Sequence, residues 1–417
     1  MRNAWILLMA AVVCGAMIGC VDVATPAEGP GGPAAGAQGG DPNAIGMQLY
    51  WDHRLSLGSG ETVTRIYQLD EMLYCMTNRN RLFARDAATG LDRWTVTVAQ
   101  PGAPVFRPTH VDKIKLSATV PGAAALVYGE PNLDAYDAVV LNTSSQLIVI
   151  NRRDGNILRR MDLPVPTSSG GATDRMAMAT FYGGSADGSY YAYSIQRGVR
   201  QWIKSTPDMI LAPVECGNGR VFIASTTGTF LSVATNSDVM WQKKLGGAVT
   251  APFLVDKRAI FVGCEDSRVY ALPMEARTSD DSNVSGGIKW ERPFVCQGPV
   301  RSAVQASENT VFAKSDGDKF YAINLVNGQQ RWTLPKGVLV GAVIGSDAYV
   351  QSDGQLLVVD EMLGKGKGSM SLGTLTLVCP STNGKAVWAA STQGRVVCLR
   401  PGSVPALKAQ DIRDAVK

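Results

Sequence analysis

The chain has 417 residues, of which 45% are hydrophobic, and its 40 lysines and arginines nearly balance 36 aspartates and glutamates, for a net charge of +4. This balance argues against the strongly basic surface that nucleic-acid binding requires, and the apolar content is ample for a core. Length alone allows about two or three domains. One repeated pattern occupies nearly all of the chain, however, so a single large β domain is the simpler interpretation.

The first twenty residues carry a positive charge at Arg2, an apolar run over residues 4–17, and then the sequence Met-Ile-Gly-Cys ending at Cys20. This segment resembles a bacterial lipoprotein signal with its lipobox. The resemblance implies that residues 1–20 are a signal peptide and that Cys20 becomes the lipid-attached first residue of the mature chain. An ordinary signal peptide with an incidental cysteine is the alternative.

Residues 21–46 are rich in alanine, glycine and proline and show no apolar periodicity. Such a composition predicts a flexible tether that lets the following domain stand off the membrane. In bacterial lipoproteins, an aspartate directly after the lipid cysteine favours the inner membrane. Val21 stands at that place here, so the resemblance predicts an outer-membrane lipoprotein that faces the periplasm.

A five-residue apolar phrase recurs eight times, and most copies lie about 40 residues apart, which is the period of one four-stranded propeller blade. Each copy follows another short apolar run across a tight turn, as in a β-hairpin. The pattern predicts an all-β, eight-bladed β-propeller of four-stranded antiparallel blades. The copies are residues 82–86, 147–151, 190–194, 230–234, 269–273, 320–324, 356–360 and 396–400.

A tryptophan recurs in the fourth strand of most blades, four residues after a glycine or serine, and we expect it to fill the wedge between neighbouring blades. These structural tryptophans are Trp94, Trp202, Trp241, Trp290 and Trp332. Arg159 takes this place in the second blade and Gly368 in the seventh. The sequence therefore predicts looser outer edges in those two blades.

The eighth copy is followed only by a short polar tail, residues 403–417, so its blade lacks an outer strand. Residues 48–55 read as an outer strand with its own tryptophan, Trp51, yet they precede the first blade. Pairing these two segments would close the ring and remove an exposed sheet edge. We therefore predict a propeller over residues 47–402, with its last blade closed by the N-terminal strand.

Six cysteines lie beyond the signal segment, and an oxidising compartment would permit disulfides. Cys379 and Cys398 fall on the first and third strands of the last blade, which places them about 9–10 Å apart. That distance exceeds the roughly 7 Å that a disulfide allows. Most of the six are interpreted as small apolar core residues.

Residues 84–94 and 322–332 resemble the tryptophan-docking repeat of quinoprotein propellers, the family named for pyrroloquinoline quinone (PQQ). The resemblance implies the blade type over roughly residues 48–400. Adjacent cysteines beside the quinone and a calcium-binding set, which many such dehydrogenases carry, are not found here. With only His53 and His110 as histidines, we predict no catalytic residues, no cofactor and no metal site. The acidic stretch 280–283 is interpreted as a solvated loop.

A lipidated propeller of this repeat type without cofactor residues resembles the propeller lipoproteins of the outer-membrane β-barrel assembly machinery. The resemblance implies a scaffold that binds the barrel-assembly protein through loops on one face. Residues 207–213 lie in a comparable connection between blades but lack the arginine typical of that family's binding loop.

About 25 extra residues interrupt the repeat between the first and second copies, largely within residues 99–134. Insertions of this kind often carry the particular function of a repeat protein. The candidate partner loop contains Phe106, His110, Lys113, Lys115 and Tyr128. The alternative is a connection without a ligand. The arginines at 152, 153, 159 and 160 are expected to decorate a solvated hairpin edge.

Three functions remain open at this point. The first is a non-catalytic membrane-anchored scaffold with a protein partner, monomeric apart from its complex. The second is a surface or periplasmic module that binds carbohydrate or another small ligand, and the third is a PQQ-dependent dehydrogenase. All three are kept because fold alone does not settle function. The sequence favours the scaffold, because no catalytic set is present.

Overall fold

The computed structural model describes residues 39–114, 135–174, 180–275, 287–382, 384–408 and 410. The described chain is almost entirely β-strand, with one short 3-10 helix at Pro42–Ile45. Among these residues, no helix has the length and apolarity needed to cross a membrane.

The strands form eight separate four-stranded antiparallel sheets, which confirms the eight-bladed propeller. Blade 1 contains β2 (Val63–Leu69), β3 (Met72–Thr77), β4 (Arg81–Asp86) and β5 (Asp92–Thr97); blade 2 contains β6 (Thr109–Ile114), β7 (Tyr136–Asn142), β8 (Gln146–Asn151) and β9 (Ile157–Asp162). Blade 3 contains β10 (Ala172–Asp174), β11 (Thr180–Gly184), β12 (Ser189–Ser194) and β13 (Val199–Ser205); blade 4 contains β14 (Glu215–Gly217), β15 (Arg220–Ala224), β16 (Thr229–Ala234) and β17 (Val239–Lys244).

The same order from first to fourth strand continues through the second half of the ring. Blade 5 contains β18 (Leu254–Val255), β19 (Ile260–Cys264), β20 (Arg268–Leu272) and β21 (Phe294–Val295); blade 6 contains β22 (Gln305–Ala306), β23 (Thr310–Lys314), β24 (Lys319–Asn324) and β25 (Gln330–Pro335). Blade 7 contains β26 (Gly337–Ile344), β27 (Asp347–Ser352), β28 (Gln355–Asp360) and β29 (Gly366–Ser371); blade 8 contains β30 (Leu377–Val378), β31 (Val387–Ala390), β32 (Arg395–Pro401) and β1 (Met47–Arg54).

The ring closes through β1, as predicted. This N-terminal strand pairs antiparallel with β32, from Met47 opposite Pro401 to Arg54 opposite Arg395. An ion pair between Arg395 Nη2 and Asp52 Oδ2, 2.8 Å apart, holds the pairing on its exposed side. The first and last strands of the propeller therefore complete one blade together.

The core is divided among the interfaces between blades. The second and third strands are buried on both faces, as in β3 and β19, because each sheet has a neighbour on either side. The described residues form eight apolar clusters, each spanning two adjacent blades. One of them joins Trp51, Trp388 and Cys398 of blade 8 to Phe83 of blade 1, across the closing seam. Burial is thus continuous around the ring.

The repeated tryptophans join each blade to the next. In five of them the indole Nε1–H donates to a backbone carbonyl of the following blade: Trp51 to Ala87 at 3.3 Å, Trp94 to Arg152 at 2.8 Å, Trp202 to Thr235 at 2.7 Å, Trp290 to Leu325 at 2.9 Å and Trp332 to Glu361 at 2.8 Å. Trp241 stacks on Phe230, but its buried Nε1 has no hydrogen-bond partner among the described residues.

A glycine of the following blade makes room for the indole. A Cβ on Gly364 would lie 2.4 Å from Trp332 Cγ, and one on Gly155 would lie 2.7 Å from Trp94 Cγ. Both glycines have positive φ, at 68° and 76°. The same residue type therefore satisfies the turn and the close packing of the ring.

The two blades without this tryptophan do not have looser outer edges, so that prediction is wrong. Strands β8 and β9 pair along five residues, as do β28 and β29, the same length as β4 with β5. Arg159 replaces the indole with a hydrogen bond from Nη1 to Gln196 O at 3.0 Å. At Gly368 the backbone of Ala44 fills the space, since a Cβ would lie 2.5 Å from Ala44 O.

The residues before β1 pack against blade 7. The Gly40 N–H donates to Ser371 O at 2.8 Å, and Ile45 is buried in the cluster between blades 7 and 8. Asp41 caps the 3-10 helix by accepting from Asn43 N–H at 3.0 Å. Structure therefore begins before Gly46, the predicted end of the tether. The signal segment with Cys20, residues 21–38 of the tether and residues 411–417 of the tail lie outside the described residues.

All six described cysteines are free, in agreement with the distance argument for Cys379 and Cys398. Five of them are buried, and Cys216 is half-buried. Burial raises the pKa of the Cys75 thiol to about 12 and acts in the same direction on the others. These thiols are therefore protonated and unreactive at neutral pH.

Candidate functional site

The predicted partner loop is only partly a surface feature. Phe106 is half-buried on the approach to β6, and Lys113 is exposed near the end of that strand, with its backbone N–H donating to Asp137 Oδ1 at 3.0 Å. Lys115 and Tyr128 lie outside the described residues. The insertion thus leaves and re-enters the ring between β6 and β7, at the first hairpin of blade 2.

His110 is not available to a partner, which corrects its place in the predicted loop. It lies on β6 with 1% of its surface exposed, because β6 is an inner strand packed against blade 1. Its Nε2 is 2.9 Å from the Tyr74 hydroxyl, and its Nδ1 is 2.7 Å from Asp70 Oδ2. Burial raises the pKa of Tyr74 above its ordinary value, so the phenol stays neutral. His110 therefore links two blades.

Arg152 lies beside this histidine and is surrounded by carboxylates of both blades. Its guanidinium nitrogens are 3.1 Å from Asp112, 3.3 Å from Asp137, 3.5 Å from Glu71 and 3.8 Å from Asp70. Burial lowers the pKa of Arg152, but the carboxylates outweigh it and the pKa is raised.

Three of the four arginines expected on a solvated hairpin edge make structural contacts, since the half-buried Arg159 donates to Gln196 O as described above. Arg152 is largely buried at the base of the insertion, and Arg160 Nη1 donates to Val98 O at 2.7 Å in blade 1. The expectation is therefore wrong for Arg152 and Arg159, whereas Arg160 is exposed as expected. Their spacing in the sequence gave no sign of carboxylates and carbonyls contributed by another blade.

A cavity of about 960 Å³ opens along the inner strands of blades 1 to 4 and 8. Among its lining residues are Tyr67, Arg107, Asp174, Glu215 and Cys216. Inner strands of a propeller surround its axis, so this cavity belongs to the central channel. It also includes His110 and therefore touches the base of the insertion.

An ion pair spans part of this channel. Arg107 Nη2, just before β6 of blade 2, lies 2.5 Å from both carboxylate oxygens of Glu215 on β14 of blade 4. Burial raises the pKa of Glu215, and the guanidinium opposes that rise. The two residues are 108 positions apart, so the sequence offered no signal for the pair. Arg107 and Glu215 are the principal channel residues that the sequence analysis missed.

The described ranges place His110 and Glu215 of the channel in contacts between blades. Within these ranges, no three histidine, cysteine or carboxylate side chains are placed to hold a metal ion. Residues 280–283, the acidic stretch considered earlier, lie outside the described residues. His110 is held by Tyr74 and Asp70, and burial raises the pKa of Cys216 to about 12. The arrangement suits recognition by shape, hydrogen bonding and charge.

Comparison with known proteins identifies the relatives of this ring. A sequence model of the family described as outer membrane protein assembly factor BamB matches residues 281–403. The chain resembles BamB. That stretch includes β21 and blades 6 and 7, together with the three strands that blade 8 receives from the C-terminal end. The resemblance to quinoprotein-type repeats of the BamB kind is therefore confirmed.

Two further similarities agree with this result. BamB of Nitrosomonas eutropha (strain DSM 101675 / C91 / Nm57) is 23% identical over 161 residues, which cover 38% of this chain and 38% of that protein. The crystal structure of BamB from Moraxella catarrhalis superposes with a TM-score of 0.60 at 14% identity, covering 87% of this chain and 99% of that one.

The propeller fold is also shared with a computationally designed protein, Ika8. It superposes with a TM-score of 0.58 at 15% identity and covers 83% of this chain and 98% of its own. At such identities a structural match shows the fold alone. Only the sequence matches bear on a particular kind of propeller, and they span part of the chain.

Proposed function

We propose that this protein is a membrane-anchored, non-catalytic propeller scaffold that mediates protein–protein interaction in outer-membrane protein assembly. The observation that carries the proposal is the sequence match of residues 281–403 to the BamB family. The ring is closed, and tryptophan side chains donate hydrogen bonds from one blade to the next, so it gives a rigid support for partner-binding loops. No nucleic acid is expected as a partner, because the charge is nearly balanced.

The proposed anchor is a lipid on Cys20, in the outer membrane and facing the periplasm. The support is the sequence of the signal segment, with Val21 directly after the cysteine. Mass spectrometry of the mature N-terminus tests it, and a Cys20→Ser variant is the control. A mature chain that begins elsewhere, or a Cys20 without acyl groups, contradicts the anchor.

The proposed contact with the barrel-assembly protein is the insertion between β6 and β7. Its described border carries the exposed Lys113, whereas the half-buried Phe106 lies at the opposite end of β6, where its N–H donates to Asn142 O. Residues 207–213, with an exposed Met209, are a second surface to compare, because they join blades 3 and 4. Residues 207–213 connect strands without being part of a ladder, so they can contact a partner without disturbing the ring.

The test is affinity purification of the full-length, lipidated protein from its own membranes in mild detergent, with bound proteins identified by mass spectrometry. Because Thr109–Ile114 is an inner strand, the informative deletion is confined to residues 116–133 and replaced by a Gly-Ser linker. A matched variant shortens the polar segment 276–286 in the same way. We expect the barrel-assembly protein with wild type and with the matched variant, and its loss with the first deletion.

The second candidate function is a carbohydrate or small-ligand binder, and the channel cavity of about 960 Å³ favours it. Such a volume is in the range of small-molecule sites, which run to roughly 1,000 Å³. A glycan array on the purified chain tests it, with an Arg107→Gln variant as the comparison. Saturable binding that the variant loses would favour this function, whereas uniform background would remove it.

A further inference from the structure

The fourth strands of blades 3 and 4 differ in charge from those of the other blades. Together β13 and β17 carry Arg200, Lys204, Lys243 and Lys244 and no acidic residue. Among the other described fourth strands, β9 also carries two arginines, but β9, β5 and β1 each include an aspartate. Strands β25 and β29 carry one basic residue each, and β21 carries none. Positive charge is thus concentrated on two neighbouring blades of a chain that is nearly neutral overall.

These four cations have no direct ion-pair partner among the described residues, although Thr227 links Lys244 to the Asp208 carboxylate. Within the part of the chain that the structure describes, none of them forms a salt bridge, and all four are exposed. Elsewhere two fourth-strand cations form ion pairs, Arg93 with Asp86 at 2.8 Å and Lys367 with Asp360 at 3.1 Å. Arg160 and Arg331 instead donate to backbone carbonyls. The group on β13 and β17 is therefore four basic side chains on two neighbouring strands without a salt bridge among the described residues.

Two of the lysines face one groove. Lys204 lies two residues after Trp202 and is therefore on the same face of β13. This face is directed towards blade 4, because the Trp202 indole donates to Thr235 O of that blade. Lys244 lies three residues after Trp241, which packs towards blade 5, and therefore faces blade 3. Its Nζ donates to Thr227 Oγ1 at 3.1 Å. The groove between blades 3 and 4 thus has a lysine on each wall.

Apolar side chains are exposed beside the same cations. Val199 begins β13 with 51% of its surface exposed, Val239 begins β17 with 50%, and Met240 follows with 42%. Exposed apolar groups next to unpaired charges are typical of surfaces that bind another protein, where the apolar groups are buried and the charges surround them.

We propose that the outer edge formed by β13 and β17, hereafter the basic edge, docks an acidic surface of another protein. Charge complementarity selects the sign of the partner. A protein is the proposed occupant because the exposed Val199, Val239 and Met240 beside the cations suit burial against another protein. The basic edge is a surface separate from the insertion.

The test compares two variants of equal charge loss. The first, R200Q/K204Q/K243Q/K244Q, removes the basic edge. The second, K257Q/K289Q/K365Q/K385Q, removes four exposed lysines spread over blades 5, 7 and 8, none of which forms a salt bridge among the described residues. The probe is a fluorescein-labelled poly-L-glutamate peptide, titrated by anisotropy against each full-length protein in non-ionic detergent.

We expect about tenfold weaker binding for the first variant, because several weak exposed contacts are lost together, and an unchanged affinity for the second. Raising the salt should weaken wild-type binding towards that of the first variant. Equal losses in both variants, or no loss in either, would overturn the proposal. Matching circular dichroism melts confirm that both variants are folded.

A second measurement separates a protein surface from a membrane. The full-length protein is reconstituted into vesicles of phosphatidylcholine alone or of phosphatidylcholine with phosphatidylglycerol, and its lysines are labelled with an amine-reactive reagent. The proposal expects equal labelling of Lys204 and Lys243 in both. Protection of these two lysines by the anionic vesicles, with Lys257 unprotected, would assign the basic edge to a membrane and overturn the proposal.

Discussion

Replacing Trp332 with alanine should destabilise the ring by about 4 kcal/mol, within the roughly 3–5 kcal/mol found for buried Trp→Ala changes. The side chain is only 8% exposed, and its ring centroid lies 6.1 Å from that of Phe312. Its Nε1–H donates to Glu361 O at 2.8 Å. Alanine would leave a cavity between blades 6 and 7 and a buried carbonyl without its donor.

Two comparison variants separate these contributions. Trp332→Phe keeps most of the apolar contact but removes the donor, so we expect a loss of about 1–2 kcal/mol. Trp241→Ala should cost less than Trp332→Ala, because Trp241 is more exposed and its Nε1 has no partner among the described residues. The order of the three losses follows directly from the contacts.

The assay is urea unfolding of each purified variant, followed by circular dichroism at a wavelength that reports on β-structure. A shift of the midpoint at constant slope measures stability, whereas a changed slope signals altered cooperativity. A loss below about 1 kcal/mol for Trp332→Ala would refute its role in the blade interface. So would a loss for Trp241→Ala that equals or exceeds it.

Three further predictions concern closure, acid sensitivity and the cofactor. Deleting residues 47–55 should abolish cooperative unfolding, because β32 would become an exposed edge, whereas deleting residues 21–38 should leave the melt unchanged; similar melts for both deletions would contradict closure by β1. Burial raises the pKa of Asp86, but hydrogen bonds from Arg93 and Thr89 outweigh the effect of burial, so the pKa is lowered. The ionised Asp86 therefore stabilises the fold above the unfolded pKa of about 3.9, and this stabilisation is lost as the pH falls through the folded pKa. Asp86→Asn should therefore be less stable at pH 7, by about 1–3 kcal/mol, and should lose less stability than wild type on acidification; parallel pH profiles of the unfolding midpoint would show that Asp86 contributes nothing. Titration with pyrroloquinoline quinone and calcium should give no saturable change in tryptophan fluorescence. A saturable change would instead support the function of a PQQ-dependent dehydrogenase.

The blade architecture was predictable because it repeats. A hairpin turn, an apolar phrase and a fourth-strand tryptophan each recur at one period, so every copy supports the others. The closing strand followed from the same logic, since the last blade lacked one strand and residues 48–55 had the pattern of that strand. The resemblance of residues 84–94 to quinoprotein repeats named the blade type, and the comparison with BamB agrees.

The contacts that do not repeat from blade to blade were not predictable in the same way. His110 stood in an insertion and therefore suggested a surface, but it pairs with Asp70 and Tyr74 of blade 1. Arg107 meets Glu215 only because the ring brings blades 2 and 4 to one channel. Such contacts join residues that are far apart in sequence, so no local sequence pattern predicts them.

Gly368 shows the same limit on a smaller scale. Its lack of a side chain predicted a loose edge, whereas the structure fills the place with the backbone of Ala44. The sequence of residues 21–46 resembles a linker throughout, so nothing in its composition predicts the packing of residues 39–46 against blade 7. Contacts with β29, not local propensity, order that end of the segment.

Direct binding of the chain to the barrel-assembly protein tests most simply whether the ring serves as a scaffold for that protein. The purified full-length chain in detergent is titrated with the purified barrel-assembly protein of the same organism, and the heat of binding is measured. We expect saturable binding with one propeller per partner, lost on deletion of residues 116–133 and retained on shortening of 276–286. Absence of saturable binding with the wild-type chain would contradict the scaffold in outer-membrane assembly.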